Sequence, residues 1–582
     1  MRTTRRRRAA RGGCLVAALA LLTGCVQMPS EGPVVEPLVS AATDDVPGIS
    51  FDPRPPQAGD SAADIVAGFL EAMKATPISP TVARQFLSEE AADSWVPEQQ
   101  IITYAELGTA VGETSVRIPL SEVNRYDARG AWQRTEAEGV LGLGLAIEDG
   151  EWRIEELPNA LVVPESWFDD AYQRVSLYFF DPTAQVLVPE PVFVPSGDQF
   201  ASSLVRGLAV QPDDTSPDVV QTYFPSGSAE GLAVPISSAG IATVTLTGDP
   251  DAVDEETAQR MLAQLVWTLR QEPRIRAVEL SIGGRALGGP GGSTQVNLDV
   301  GSAYDPNGVR PSAELFALDR GLLVSGAIGA FEATAGPLGT VDLGVRSIGV
   351  DLTGARVAAV TDDGADLLVA PVQAAAGEAT RPVVGAVDLA APGWDHRDRI
   401  WLLDRGAGRS RVIVVVDGDA VEVDVPGITG RPARSLLVSR DGSRLVAVVR
   451  GSKADRVVST RVRQDAAGTV LGTTPVHTLP RPTESSPRIR DIGWRSPTAV
   501  SVLSDITEDL SEVRTISVDG APGEVASGGT TRLRGPTRQL VSSPVDGSEV
   551  FALAGRAVTS LTRLERPVPD LARGLTSLTY VG

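Results

Sequence analysis

The sequence predicts a multidomain chain: two successive α+β units followed by an all-β propeller of about six blades. Three observations carry this. Residues 61–157 pass from helical periodicity to strand alternation. Residues 172–282 begin a second mixture of strands and helices in a different order. From about residue 305 onward, short apolar strands recur with turn residues between them. A chain of 582 residues has room for such an arrangement, and 42% hydrophobic content suits packed cores.

The first segment is an export signal. Arg2, Arg5, Arg6, Arg7, Arg8 and Arg11 precede an uncharged apolar run from Cys14 to Leu22. That pattern reads as a signal peptide over residues 1–24, too short to span a membrane permanently. The run ends in Leu22-Thr23-Gly24-Cys25, which resembles a bacterial lipobox. Small residues at Thr23 and Gly24 let a peptidase reach the backbone. The Cys25 thiol is then expected to take a thioether-linked diacylglycerol, with palmitate-type acyl chains. Each buried CH₂ adds about 0.8 kcal/mol, and two or three chains hold far more firmly than one. The resemblance implies a lipid anchor on the extracytoplasmic face of the cell membrane. The other cysteine, Cys14, leaves with the signal peptide, so no disulfide is expected in the mature chain.

Residues 25–60 read as the lipidated Cys25 and a linker, punctuated by Pro29, Pro33, Pro37, Pro47, Pro53, Pro55 and Pro56. Fully extended at about 3.1 Å per residue, it reaches about 100 Å from the anchor. The formal net charge is −22, and loss of the arginine-rich leader makes the mature chain more negative still. Such a surface repels nucleic acid and anionic headgroups.

Residues 61–170 are expected to form the first unit. Ser61 caps a helix carrying Ile65, Phe69, Leu70 and Met73 on one stripe. A second helical patch contains Val82, Phe86 and Leu87, and strands follow at 115–120, 130–138, 139–147 and 152–157. Glu148-Asp149-Gly150 makes a hairpin turn. Helices before a meander ending in EDGEWRIEEL resemble the cone-shaped, nuclear-transport-factor-2-like (NTF2-like) superfamily. No acid–base pair stands out, so the interior is read as packed.

Residues 171–300 are expected to form the second unit. Val175–Phe180 is a strand, Asp181-Pro182 turns it and Val186–Val188 returns. Phe193-Val194-Pro195 then leads into a helix holding Phe200, Leu204, Val205 and Leu208. The strand Ile241–Leu246, the helix Glu255–Arg270 and the strand Arg276–Ile282 complete a β-β-α-β-α-β order. The segments LYFFDPTAQVLVPE, FPSGSAEG and RMLAQLVWTLRQEPRIRAVELSIGG resemble the GerMN domain of germination and sporulation proteins. Trp267 and Leu269 are read as core, and Gly283–Ser293 as a flexible connector.

Residues 301–582 carry the repeat. VDLTGARVAAV and VSRDGSRLVAV place their turn glycines at Gly354 and Gly442, 88 residues or two steps of 44 apart. Asp546-Gly547 supplies a third turn, and units around Trp394 and Trp494 fill the gaps. A period of roughly 40–50 residues with four short strands is a propeller blade. Blades cannot bury both faces alone, so they must close around an axis. The apolar run Leu575–Val581 is the candidate closing strand.

Catalytic chemistry is not legible. His396 and His477 lie in different repeats without cysteine neighbours, so zinc-type spacing is absent and no metal or cofactor is expected. There is no Gly-x-Ser-x-Gly elbow. His396 in WDHRDR reads as a solvated turn residue, and Asp305-Pro306-Asn307-Gly308 as a turn.

Lipobox, Pro-rich linker, cone-like unit, GerMN-like unit and propeller, in that order, resemble the LpqB lipoproteins of actinobacteria over nearly the whole chain. The resemblance implies an accessory of the MtrAB two-component system. Its expected partners are the extracytoplasmic domain of an MtrB-like sensor histidine kinase and, through the lipid, the membrane; nucleic acid is not among them. It offers no catalytic residues to carry over. Two readings from other classes stand beside it: a secreted propeller enzyme acting on envelope glycans, and a structural wall-binding lipoprotein. Buried carboxylates and arginines in the propeller channel would favour the enzyme.

The anchor is testable directly. Cys25→Ser is expected to abolish lipidation and leave the protein unprocessed or released. Mass spectrometry of the N-terminus and detergent partitioning check this; a variant that still carries a diacyl mass contradicts the lipobox.

Overall fold

The structure, a computed structural model, describes residues 34–35 and 51–582 apart from 135–138, 213–217, 230, 290–291, 309–311, 313, 375–377, 481–487, 524 and 526–528. The first unit begins with the helix Ala62–Ala72. Ser61 accepts from the Asp64 amide while the Asp64 carboxylate accepts from the Ser61 amide, so both caps close reciprocally. Ile65, Val66, Phe69, Leu70 and Ala72 turn inward. They pack on two four-stranded sheets. One holds Glu106–Leu107, Ser115–Ser121, Gly139–Glu148 and Glu151–Glu156; the other holds Trp132–Gln133, Asn124–Asp127, Gln100–Tyr104 and Leu161–Pro164. Ser115–Ser121 alternates strictly between exposed and buried residues, the signature of a half-buried strand. Asp149 and Gly150 both take left-handed backbone, at φ 53° and 85°, which a two-residue hairpin with native twist requires. Phe69, Trp95, Leu143 and Ile154 fill the interior between helices and sheet.

In the second unit, Tyr172–Phe180 pairs along its whole length with Leu187–Pro195. The returning strand therefore absorbs Phe193–Pro195, which the sequence reading placed in a lead-in to the helix. Asp181 organises the turn: its carboxylate accepts from the amides of Thr183, Gln185 and Val186 and from the Thr183 hydroxyl. The helix Phe200–Ala209 follows, then Ile241–Leu246, the helix Glu255–Leu269 and Ala277–Ile282, the last strand parallel to Ile241–Leu246. This is the expected β-β-α-β-α-β order. Met261, Leu262, Leu265, Val266 and Leu269 are buried together, and Trp267 on the other side packs with Phe180, Leu187 and Ala263 while its indole N–H donates to Gly301 O at 2.9 Å. The expected flexible connector is instead partly built into the sheet. Gly283 and Gly284 adopt left-handed backbone, Arg285–Leu287 folds back on Ala277–Ile282, and Leu287 enters the core. Two consecutive glycines make a tight hairpin here because a Cβ on Gly283 would collide with the carbonyl oxygen of Gly248.

The propeller has six blades. Their innermost strands are Leu575–Tyr580, Val345–Val350, Gly393–Trp394, Ala433–Val438, Ile489–Ser496 and Gln539–Val541, for blades 1 to 6 in turn. Each neighbours the next around the axis. Blade 1 joins distant parts of the chain: Leu575–Tyr580 pairs antiparallel with Leu315–Asp319, outside which lie Leu322–Ala327 and Ala330–Ala333. Val581 then bridges Val350 in blade 2, and the Gly582 amide donates to Val350 O at 2.8 Å. Gly354, Gly442 and Gly547 all sit in the turn between first and second strands, in blades 2, 4 and 6. Trp394 and Trp494 mark blades 3 and 5, and each staples its blade to the preceding one. Their indole N–H groups donate to Gly349 O at 3.0 Å and Val438 O at 2.8 Å. Val34–Val35, within the stretch read as linker, pairs with Thr531 and Arg532 and adds a fifth strand to blade 5. The outer strand Thr531–Arg534 offers an open edge there.

Removing residues 572–582 strips blade 1 of its inner strand and exposes the ladder of Leu315–Asp319. It also takes away the buried Leu578, Tyr580 and Val581. At about 1.5–3 kcal/mol per large apolar side chain, this rivals a whole domain's net stability of about 5–15 kcal/mol. The truncated protein is expected to aggregate and lose its cooperative melt. A soluble truncation with a sharp calorimetric transition contradicts closure at this seam.

Candidate functional site

Leu22, Thr23, Gly24 and Cys25 lie outside the described residues. Among the described residues no helix is long and apolar enough to cross a membrane, and no three His, Cys, Asp or Glu residues converge as a metal site. His396 is not the solvated turn residue expected from its charged neighbours. Both its ring nitrogens are shut off from solvent and lack a hydrogen-bond partner, and burial lowers its pKa from the ordinary imidazole value. The cause is the turn itself, whose His396 amide donates to Arg440 O at 2.8 Å and draws blade 3 against blade 4.

The turns joining first and second strands of blades 3 and 4 meet the second unit in a buried polar seam. Asp395 and Arg399, each about 1% exposed, form its first half. Arg399 Nε donates to Asp395 Oδ2 at 2.7 Å, and Trp401 Nε1 reaches the same oxygen at 2.8 Å. Arg399 Nη1 donates to Gln464 Oε1 at 3.1 Å, and Gln464 Nε2 passes the chain on to Asp181 Oδ2 at 3.3 Å. The carboxylate that turns the Tyr172–Phe180 and Leu187–Pro195 hairpin of the second unit is thus the same one that docks it on the propeller. Arg463 pairs with Asp218 alongside, at 2.5 Å.

The second half centres on Glu190. Arg444 Nη2 donates to its Oε2 at 2.8 Å, and Arg461 Nη1 lies 2.5 Å from its Oε1. Burial works to raise the Glu190 carboxyl, but the two guanidiniums outweigh it and hold the pKa below the ordinary glutamate value. Burial also pushes Arg461 down to about 10. With the Glu190 pKa depressed, its stabilising contribution is complete above the ordinary value of about 4.3 and is lost as pH falls through the lower folded value. Arg440 closes the channel centre at this end. It donates to Asn307 O at 3.2 Å, Ser543 Oγ at 3.1 Å and Val581 O at 2.5 Å, tying the segment ahead of blade 1, blade 6 and the last strand together.

The first unit is held by a different means. Tyr126, Phe168, Tyr172 and Phe193 stack across its junction with the second unit, with Tyr126–Phe168 and Phe168–Tyr172 centroids 4.6 Å apart. The Phe193 amide donates to Gly130 O at 2.9 Å. A cavity of about 230 Å³ lies in this junction, walled by Ile101, Leu161, Tyr172 and Phe193, with Arg129 and Arg206 at its polar edge. The Arg129 guanidinium is already bound to Asp127, at 2.8 Å. Arg134 and Arg174 complete the block by donating to Thr478 O and Pro522 O of the propeller, both at 2.6 Å.

Sequence reasoning did not find these seam residues. The legible hint was Arg461 next to Val462 in the strand Arg456–Gln464, which also carries Val457 and Val458, where a charged side chain turned inward needs a buried partner.

Comparison with known proteins places the three parts. A family model described as Lipoprotein LpqB, N-terminal domain, matches residues 55–169. One described as Sporulation and spore germination matches residues 176–288, and one described as Lipoprotein LpqB beta-propeller domain matches residues 321–563. Lipoprotein LpqB of Thermobifida fusca is 27% identical over 572 residues, covering 88% of this chain and 90% of the relative. Lipoprotein LpqB of Streptomyces coelicolor is 27% identical over 560 residues, covering 88% of each. Among solved structures, the first GerMN domain of the sporulation protein GerM from Bacillus subtilis aligns at 23% identity and a TM-score of 0.19, covering 22% of this chain and 96% of that one. With family models for all three parts in sequence, and relatives matched over 88% of it, the chain belongs to the Lipoprotein LpqB family.

Proposed function

We propose that this protein is anchored through Cys25 to the extracytoplasmic face of the cell membrane and acts there, without catalysis, as an accessory to an MtrAB-like two-component system. It would bind the outer domain of the sensor kinase and adjust signalling in envelope homeostasis and division. Family membership is the observation that carries this reading. The structure supports it in one respect: the two seams join three domains into one block, which suits a protein that presents a shaped surface to a partner. Anchoring both proteins in one thin layer raises their effective concentration, so modest affinity suffices. The anchor, the signal peptide over residues 1–24 and the domain limits at 60, 170 and 300 belong to this proposal.

One observation favours the glycan-enzyme reading. Asp491 lines a cavity in the propeller beside Arg434 and Arg490, and burial pushes its carboxyl up to about 6. Glycoside hydrolysis ordinarily needs a second carboxylate about 5–10 Å away. The other residues lining that cavity supply none.

Two measurements follow, one on the joined block and one on the adaptor reading itself. Glu190→Ala leaves Arg444 and Arg461 buried without their shared carboxylate, a loss of about 3–5 kcal/mol. The second unit and the propeller are then expected to melt in separate steps rather than together, as read by calorimetry and limited proteolysis. An unchanged melt contradicts a seam built on this triad. Separately, titration of the unlipidated mature chain against the purified sensor domain of an MtrB-like kinase is expected to show binding that weakens as salt rises, because the mature chain is more negative than the full chain's −22. Absence of binding at both low and high salt, with both proteins folded, returns the glycan enzyme to first place.

A further inference from the structure

The end of the propeller facing away from the second unit carries a repeated device. In blades 2, 4 and 5 the register between first and second strands slips at the same place, between Val345 and Ser347, Ala433 and Ser435, and Ile489 and Asp491. The residue passed over is an arginine each time: Arg346, Arg434 and Arg490. A β-bulge re-aims the side chain of its extra residue. Arg434 begins the inner strand whose far end carries the blade 4 seam turn, and Arg346 and Arg490 hold the same position in blades 2 and 5, so all three stand at the open mouth of the channel. The second strands of blades 3 and 4 end at the same mouth and deliver Arg405 and Arg450. A cavity of about 220 Å³ lies between Arg405, Arg434, Ser435, Arg490 and Asp491, and an adjoining one of about 350 Å³ between Asp388, Arg405, Arg434 and Arg450.

The arginines around this mouth already hold carboxylates, with one exception. Arg346 and Arg405 share Asp388 at 2.5 and 2.9 Å. Arg490 binds Asp505, and Arg450 lies 3.9 Å from Asp455. Arg434, in the middle, makes no ion pair or hydrogen bond among the described residues. Burial disfavours its charged form, and Arg450, Arg405 and Arg490 add repulsion that Asp455 opposes. Asp491 does not fill the gap: its two oxygens accept from the amides of Ile492 at 2.9 Å and Leu540 at 2.8 Å. In a chain of net charge −22, this is a cationic mouth short of one carboxylate.

We propose that the open mouth of the propeller channel binds an acidic segment of a partner protein, whose Asp or Glu side chain enters the cavity and pairs with Arg434. A planar guanidinium takes a carboxylate through two parallel N–H donors. The neighbouring pairs show that carboxylates fit the spacing here. The cavity is smaller than the roughly 300–1,000 Å³ of sites that enclose a drug-sized ligand, and suits one side chain held by a chain lying across the mouth. Arg346, Arg405, Arg450 and Arg490 supply the field that draws the segment in.

The test uses the unlipidated mature chain and a fluorescent octaglutamate peptide, with octaglutamine as the neutral probe, read by anisotropy at low and moderate salt. Octaglutamate is expected to bind and octaglutamine not. Arg434→Gln is expected to weaken binding at least tenfold, and Arg434→Lys less, because the charge survives without the fork. Arg563→Gln, which breaks a pair with Glu549 at the other end of blade 6, is expected to leave binding unchanged. Since Arg434 has no partner to lose, Arg434→Gln is expected to melt no lower than the parent, which separates lost binding from lost folding. Equal binding of both peptides overturns the proposal, as does undiminished octaglutamate binding by Arg434→Gln. So does failure of octaglutamate to bind while inorganic phosphate or a phosphorylated peptide does. The probes contain no kinase sequence, so the sensor-kinase reading can fail with this one standing.

Discussion

The antiparallel pairing of Leu575–Tyr580 with Leu315–Asp319 is the constraint on which the rest of the molecule depends. It spans most of the propeller's length in sequence and turns a row of blades into a ring. Without it, the ladder of Leu315–Asp319 stands open and the inner strands of blades 2 and 6 each lose a neighbour. With it, one end of the ring presents the turns of blades 3 and 4 at a set spacing, and the other end gathers the arginines at the starts of the inner strands. Arg440 reads this closure chemically, since it donates to Val581 O only when the last strand is home.

The seam with the second unit is polar where the ring's interior is apolar. Burying charge is costly unless partners and hydrogen bonds are supplied together. Glu190 between Arg444 and Arg461, and Asp395 among Arg399, Trp401 and backbone amides, meet that requirement. Asp181 serves both sides, turning its own hairpin and receiving Gln464. Such a seam specifies one orientation rather than simple adhesion, because rotating either domain would strand a buried charge. The aromatic junction with the first unit has no such demand and leaves a cavity instead.

These contrasts bear on function. A lipid-anchored block presents only what its ends and sides display. One end of the propeller is occupied by the second unit, and its main ion pairs, Asp395–Arg399 and Glu190 with Arg444 and Arg461, are closed within that seam. The opposite end is open and holds cations in a chain that is acidic overall. Surface recognition and enzyme chemistry make different demands on such a mouth. Recognition needs a field and one well-placed fork, whereas hydrolysis needs paired carboxylates with separated acidities.

The sequence alone determined the elements that repeat or alternate. The Ser61 cap, the Asp149-Gly150 hairpin, the stripe from Met261 to Leu269, the propeller of about six blades and the closing strand after Leu575 were all legible, because each depends on residues close together or on a period. Family resemblance was legible for the same reason, carried by contiguous segments in order. Only tertiary structure decided what His396, Glu190, Arg434 and Arg461 do. His396 and Arg461 look alike in sequence, as polar residues among charged or apolar neighbours. One is sealed in a turn between blades, and the other crosses to a glutamate far away in the chain. Burial and charge pairing are properties of the assembled environment. They arise from residues hundreds of positions apart, and no local pattern encodes which carboxylate will meet which guanidinium.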